Sequence, residues 1–218
     1  MHSGDGREIL TIGVLSLQGG VAEHMVMLSK IDSPSVRVIA VRQLSDLAAL
    51  DGIILPGGES TALMRLLVAS GMTVPLQERV QKGMPVWGTC AGLILMAQEL
   101  VPSSFQRIPC IDITVIRNAY GSQLESFVEP LQITGIPGSA LQGVFIRAPE
   151  IIRTGEHVEV LATCRGKAVV CRQGNRIVTA FHPELTDDDR FHHYFVDVVQ
   201  QYVYAHRSVC RVERVYDQ

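Results

Sequence analysis

Cys90, His182 and Glu184 are a thiol, an imidazole and a carboxylate whose settings suit covalent chemistry. Cys90 stands between two glycines in Gly88-Thr89-Cys90-Ala91-Gly92, directly after the apolar run Pro85-Val86-Trp87. That is the pattern of a nucleophile elbow, where the chain leaves a buried strand, bends sharply at the nucleophile and enters a helix, here expected over 91–99. Glycines leave room for such a bend. The amides and the positive dipole end at a helix N-terminus favour thiolate. His182-Pro183-Glu184 follows a second apolar run, 177–181, and supplies a base with a carboxylate two residues on to hold the other imidazole nitrogen. A small thiol flanked by glycines also suits a tight core. The His-Pro-Glu segment and the loop that follows favour catalysis.

Pro56-Gly57-Gly58-Glu59-Ser60 ends a strand expected over 52–55, at the edge where open α/β sheets place ligands. Acyl transfer passes through a tetrahedral oxyanion, and the amides of Gly58 and Ala91 are the expected donors of the hole that stabilises it. The same loop also reads as an ordinary strand-to-helix turn capped by Ser60. The two readings are compatible.

The elements that must position these groups alternate. A strand over 10–17 is broken by Gln18-Gly19-Gly20 and followed by helical spacing over 21–30. Strands over 36–41 and 52–55, helices over 61–70 and 74–82, and a strand over 85–88 come next. Their near-continuous apolar character predicts a parallel sheet covered on both faces. In the second half, strands over 111–116, 127–133, 144–146, 158–163, 168–172 and 177–181 follow one another without long helices, so some are antiparallel. An amphipathic helix over 187–205 closes the fold, with Asp187, Asp188 and Asp189 as its N-terminal caps rather than metal ligands. The expected organisation is a polar extension over 1–8, one domain over 9–205 and a charged, extended or disordered tail over 206–218.

With 218 residues, 47% hydrophobic and 19% charged, the chain has the makings of one sizeable core. Its net charge of −3 and dispersed basic residues leave out a nucleic-acid footprint, so small-molecule or protein partners are expected. Cys90, Cys110, Cys164, Cys171 and Cys210 are odd in number and lack CxxC spacing, which suits a reducing, cytoplasmic setting without a membrane span. His24, His157, His192, His193 and His206 show no metal-ligand spacing and are expected to be structural or solvent-facing. Without a Walker motif or GxGxxG, no nucleotide is expected, and neither a metal nor another cofactor is assigned.

The chain resembles class I, triad-type glutamine amidotransferases over about 12–202. The elbow and Phe181-His182-Pro183-Glu184-Leu185-Thr186 are shared across that superfamily. Gly13-Val14-Leu15-Ser16-Leu17-Gln18-Gly19, Leu55-Pro56-Gly57-Gly58-Glu59-Ser60-Thr61, Arg117-Asn118-Ala119-Tyr120-Gly121 and Val144-Phe145-Ile146-Arg147-Ala148-Pro149 are most similar to the branch that supplies the glutaminase subunit of pyridoxal 5′-phosphate synthase. Ala119 and Tyr120 stand where that branch often has Ser and Phe. The resemblance implies a flavodoxin-like α/β fold with a mixed, largely parallel central sheet flanked by helices and a strand-rich antiparallel second half. It implies Cys90 as nucleophile, His182 as general base and acid, and Glu184 as its orienting partner. It further implies L-glutamine contacts from Gly58, Glu59, Ser60, Arg117, Ile146 and Arg147, and a place for Gln18 near the oxyanion hole and a partner interface. Taken without the resemblance, each arginine reads as a surface ion pair and Gln18 as an amide ending a strand. The implied partner is a (β/α)₈-barrel synthase subunit in a hetero-oligomer, which receives the ammonia; pyridoxal phosphate is then a product and not a cofactor of this chain. Two alternatives stay open: a glutaminase subunit for another ammonia-using synthase, such as that of imidazole glycerol phosphate synthesis, or, from another class, a non-catalytic module on the same fold or a cysteine-elbow stress protein, the last weighed against by the Arg117 and Arg147 motifs. Intact Cys90, His182 and Glu184 weigh against the non-catalytic module.

Overall fold

The computed structural model describes residues 9–31, 36–102, 106–117 and 126–216, with the backbone alone for 207–216. In chain order the elements are β1 (Leu10–Leu15), α1 (Val21–Ser29), β2 (Val36–Val41), a 3₁₀ turn (Leu44–Ala49), β3 (Gly52–Leu55), α2 (Ser60–Ala69), α3 (Thr73–Gln81), β4 (Val86–Thr89), α4 (Ala91–Met96), β5 (Ala97–Val101) and β6 (Ile111–Ile116). Then come β7 (Phe127–Leu131), β8 (Leu141–Phe145), β9 (Glu150–Thr154), β10 (Glu159–Cys164), β11 (Lys167–Gln173), β12 (Arg176–Thr179), a 3₁₀ turn (Pro183–Leu185) and α5 (Arg190–Tyr216).

Among the described residues, one ten-stranded sheet runs β2-β1-β3-β4-β12-β11-β9-β6-β5, with β10 paired to β11, and β7 and β8 form a separate antiparallel ribbon. Strands β2, β1, β3, β4 and β12 are parallel to one another. Every residue of β3 and β4 is buried, as expected of strands with helices on both faces, and this is why they read as apolar runs rather than alternations. Beyond β12 the pairing turns antiparallel through β11, β9 and β6, and β5 joins β6 in parallel. Because β2 and β3 lie on opposite sides of β1, the chain reverses its winding between β1 and β3. Such a switch point opens a crevice at the carboxyl ends of the strands. The segments leaving β1, β3, β4 and β12 there carry Gln18, Gly57-Gly58, Cys90 and His182. Helix α5 closes one face by stacking Phe191 and Phe195 on Trp87, with ring centroids 4.8 and 5.7 Å apart.

Several boundaries differ from expectation. Helix α4 stops at Met96, since Ala97 is already extended (ψ 138), and residues 97–101 pair with β6 as β5. The Glu99 carboxylate accepts the Thr114 hydroxyl at 2.9 Å across that pairing, so tertiary pairing overrides helix propensity. Strand β9 was not expected. Helix α5 begins at Arg190 rather than 187, because the Asp188 carboxylate accepts the Arg190 amide at 3.1 Å and keeps the acidic run outside the helix as its cap. It continues to Tyr216, so the backbone expected to form an extended tail stays helical to that residue. No helix of the described residues is long and apolar enough to cross a membrane. Residues 1–8 and the motif Asn118-Ala119-Tyr120-Gly121 lie outside the described residues.

Candidate active site

Cys90 leaves β4 at φ 48 and ψ −96, a conformation that non-glycine residues seldom adopt and that clusters at functional sites. Both sides of the bend are clamped: the Cys90 amide donates to the Thr179 carbonyl at the end of β12 at 2.9 Å, and its carbonyl accepts the Ile94 amide at 3.2 Å. The flanking glycines serve close approach. A Cβ on Gly92 would land on the Leu55 carbonyl oxygen of β3, and one on Gly88 would lie 2.6 Å from the Gly92 carbonyl carbon. Glycine thus lets α4 sit against β3 and β4, while the unusual conformation falls on the cysteine itself. The thiol is 7% exposed and lies 3.9 Å from the Ile146 carbonyl oxygen.

His182 is held by its amide, which donates to the Val144 carbonyl of β8 at 2.9 Å. Its Nδ1 lies 2.7 Å from Glu184 Oε1, in a carboxylate only 5% exposed. Burial opposes charge on His182, but hydrogen bonds and charge interactions with Cys90 and Glu184 prevail and push its pKa up to about 10. Burial opposes charge on Glu184 too, yet His24 and then His182 hold it below the ordinary carboxylate value. The dyad is therefore an imidazolium beside a carboxylate.

The Gly57-Gly58 loop packs against both groups. A Cβ on Gly57 would lie 3.0 Å from His182 Nδ1 and 3.4 Å from Cys90 Cβ. The Gly57 carbonyl accepts the Gly20 amide at 3.1 Å, and since a trans peptide points its C=O and N–H in opposite directions, the Gly58 N–H faces away from Gly20. Gln18 Nε2 donates to the Glu59 carbonyl at 2.9 Å, tying the turn after β1 to the same loop. The cap of α2 is Glu59 and not Ser60: its carboxylate accepts the amides of Thr61 and Ala62 at 3.0 and 2.6 Å. Ser60, whose hydroxyl reaches two atoms less far than the Glu59 carboxylate, is instead the first helical residue and is buried. Its hydroxyl lies 3.5 Å from Arg117 Nη1, which donates to Thr61 Oγ1 at 3.1 Å.

A cavity of about 510 Å³ opens above the elbow, lined by Gly58, Glu59, Ser60, Cys90, Arg117, Ile146, Arg147 and His182, and by Ile94. The residues expected to touch substrate thus converge on one space. Gln18, Ala91 and Glu184 lie behind the lining, Ala91 heading α4 where amides lack intrahelical acceptors. Arg147 enters at φ 46, a second unusual backbone at the cavity. Ile94 was not anticipated, although it stands four residues after Cys90 and so shares its helical face. Also unanticipated is a contact behind the dyad, where His24 Nε2 lies 3.5 Å from Glu184 Oε2.

A thiol in a strained bend, an imidazole fixed by a buried carboxylate, backbone amides from a twin-glycine loop and two guanidinium groups make a site suited to cysteine-dependent acyl transfer on an anionic substrate. The sequence model of the SNO glutamine amidotransferase family matches residues 14–201, and the chain belongs to that family. It is 48% identical over 191 residues to a Streptomyces griseus protein named pyridoxal 5′-phosphate synthase subunit PdxT, covering 87% of this chain and 95% of the relative. It is 44% identical over 188 residues to a protein of the same name from Ruminiclostridium cellulolyticum, covering 86% and 98%. A solved structure described as a glutamine amidotransferase superposes with a TM-score of 0.80 at 41% identity, covering 87% of this chain and 98% of that one. A putative GMP synthase subunit from Thermoplasma acidophilum shares the fold, at a TM-score of 0.64 and 16% identity over 92% and 98% of the two chains.

Proposed function

We propose that the chain is the glutaminase subunit of a cytoplasmic pyridoxal 5′-phosphate synthase. The observation that carries this reading is the convergence of Cys90, His182 and two arginines on one cavity. An amino acid substrate presents an α-carboxylate that a guanidinium fork holds well, with Arg117 and Arg147 in that role and Glu59 near the α-ammonium. The Cys90 thiolate attacks the side-chain carboxamide carbon of glutamine, and the amides of Gly58 and Ala91 hold the oxyanion. As the C–N bond breaks, His182 gives its proton to the departing ammonia, leaving a γ-glutamyl thioester. His182 then takes a proton from water as its oxygen attacks the thioester; the C–S bond breaks, the product leaves as glutamate with its γ-carboxyl proton lost to solvent, and the Cys90 thiolate and His182 imidazolium are restored. Glu184 holds the imidazole throughout. The family and the names of the PdxT relatives support delivery of the ammonia to a (β/α)₈-barrel synthase subunit, with Gln18 and the glycine loop near that interface.

The experiment is glutamate release from glutamine by the chain alone and with a barrel synthase subunit, beside Cys90→Ala. The reading expects turnover that rises with the barrel and disappears in the variant. Absence of turnover with the barrel, or turnover that survives loss of the thiol, would overturn it.

A further inference from the structure

Glu184 has two oxygens, and the mechanism uses one. Oε1 faces His182, whereas Oε2 is a buried atom without a hydrogen-bond partner among the described residues. Beside it is His24 of α1, which is 0% exposed, with Nε2 3.5 Å from Oε2 and 3.2 Å from the Thr89 hydroxyl. His24 Nδ1 lies 3.0 Å from Nε2 of His192 on α5, itself 0% exposed. Trp87 fixes both rings, edge-on at centroid distances of 5.2 Å to His24 and 4.9 Å to His192.

The geometry selects one proton arrangement. If His24 carried its hydrogen on Nδ1, bare Nε2 would face a carboxylate oxygen, and His192 would bury an N–H at Nδ1, an atom without a partner among the described residues. If His192 Nε2–H donates to His24 Nδ1, then His24 Nε2–H lies between two acceptors, the Thr89 hydroxyl at 3.2 Å and Glu184 Oε2 at 3.5 Å, and only an acceptor is left unpaired on His192. The second arrangement meets the carboxylate with a donor and avoids a stranded one. At 3.5 Å the Nε2–Oε2 contact is long, but closing it by about 0.5 Å gives an ordinary hydrogen bond, and such bonds tighten when substrate fills a site.

We propose that His24, its tautomer set by His192, is a positioning residue that grips the second oxygen of Glu184 and so keeps the first on His182. The proposal rests on the glutaminase reading and extends it to two residues outside the triad. Burial disfavours the charged form of both rings. Burial, aided by His182, lowers the His24 pKa against the opposing pull of Glu184 and Glu23; burial, with His24, His193 and Lys30, pushes His192 down to about 2.

Asparagine and glutamine make a matched test, because the Asn amide reaches the position of ring Nδ1 and the Gln amide that of Nε2. His24→Asn is expected to lose kcat about 10-fold or more, the scale of outer-shell partners, with KM within twofold, while His24→Gln keeps kcat within threefold. The His182 ring, titrated by ¹⁵N NMR without glutamine, is expected to show a lower pKa in His24→Asn than in wild type and His24→Gln. His192→Leu, which leaves His24 in place, should shift both readouts in the same direction by a smaller amount. Equal kcat values for Asn and Gln, or a His182 titration unmoved in His24→Asn, would overturn the proposal. An inactive wild type with the expected NMR shifts would instead refute the glutaminase reading and keep the positioning role.

Discussion

Gly57→Ala isolates the geometry of the dyad from its chemistry. Gly57 lies outside the left-handed region, so alanine brings no backbone strain there and even gains about 0.4–1 kcal/mol by restricting the unfolded chain. The methyl, however, would sit 3.0 Å from His182 Nδ1, closer still to Cε1, and 3.4 Å from Cys90 Cβ. Comfortable separations begin near 3.5 Å, so the ring must retreat by about 1 Å. Behind it stands Glu184, 5% exposed and 2.7 Å from Nδ1, which leaves no room to follow. A misplacement of about 1 Å at a reacting group costs on the order of 100-fold, equivalent to about 2.7 kcal/mol of barrier. The expected result is a kcat about 100-fold below wild type, with KM for glutamine little changed because the arginines are untouched and Tm within a few degrees. Steady-state glutamate release and thermal melts measure all three. A variant with wild-type kcat and Tm would refute the argument, since the methyl would then have found space that the structure denies it.

Cys90→Ala should abolish glutaminase activity and stoichiometric labelling by a glutamine-like electrophile while the fold, checked by circular dichroism, persists. Arg117→Ala and Arg147→Ala should each raise KM about 10-fold or more with smaller changes in kcat, as loss of contacts made in ground and transition states alike; unchanged KM in both refutes the carboxylate grip. Gln18→Ala, which removes the donor to Glu59 and so a tie on the loop that carries the Gly58 amide, should lower kcat and blunt stimulation by the barrel subunit, because one misplaced oxyanion donor costs roughly 10²- to 10³-fold; full kcat in this variant would show that Gln18 does not hold that loop in place. Stability should peak near pH 6.5. His182, raised to about 10, contributes stability that is complete below its unfolded pKa of about 6.5 and lost as pH climbs towards 10. His24 and His192, depressed by burial, leave the unfolded chain to take up protons below about 6.5, and stability falls with pH there. Melting temperatures still rising from pH 7 to 9 would contradict the His182 shift.

The parallel half of the sheet was legible because strands covered on both faces have no polar side to show, and β1, β3 and β4 stand out as runs. Strand β9 was not, since Glu150-Ile151-Ile152-Arg153-Thr154 buries little beyond Ile151, leaving Ile152 at 46% exposure. Its pairing is fixed by distant strands. Ala97-Gln98-Glu99-Leu100 is built of helix formers and became a strand because β6 offers it an edge. The elbow, the twin-glycine loop and His-Pro-Glu are contiguous, and each was visible without knowing the fold. The cap at Glu59 was misread because the loop offers two side chains and only the geometry shows which meets the α2 amides. The pair of His24 and His192 joins two helices 168 residues apart, yet each left a trace. His24, Met27, Leu28 and Ile31 are all buried at the i, i+3, i+4, i+7 spacing of a core-facing stripe. His192, Phe195, Val196 and Val199 repeat it. A histidine in the apolar stripe of a helix must find a polar partner inside, and here each finds the other.

The two halves of the sheet contribute different parts of the site. Cys90, His182 and the Gly57-Gly58 loop leave adjacent parallel strands, each buried and paired on both sides. Arg117 follows β6 and Arg147 follows β8, outside that parallel core, and Arg147 is exposed. Strained backbone appears on both sides of the cavity, at Cys90 in the rigid core and at Arg147 in the peripheral ribbon. The bend at Cys90 is held by backbone hydrogen bonds to β12 and within α4, so its cost is borne by the most cohesive part of the fold. Under the proposed function, the reacting atoms are therefore set by the buried parallel strands, while the arginines proposed to hold the substrate's carboxylate follow strands of the antiparallel half and the separate ribbon. Substitutions in the parallel half should accordingly act on kcat and those in the antiparallel half on KM, a division that follows from topology before any residue's chemistry is considered.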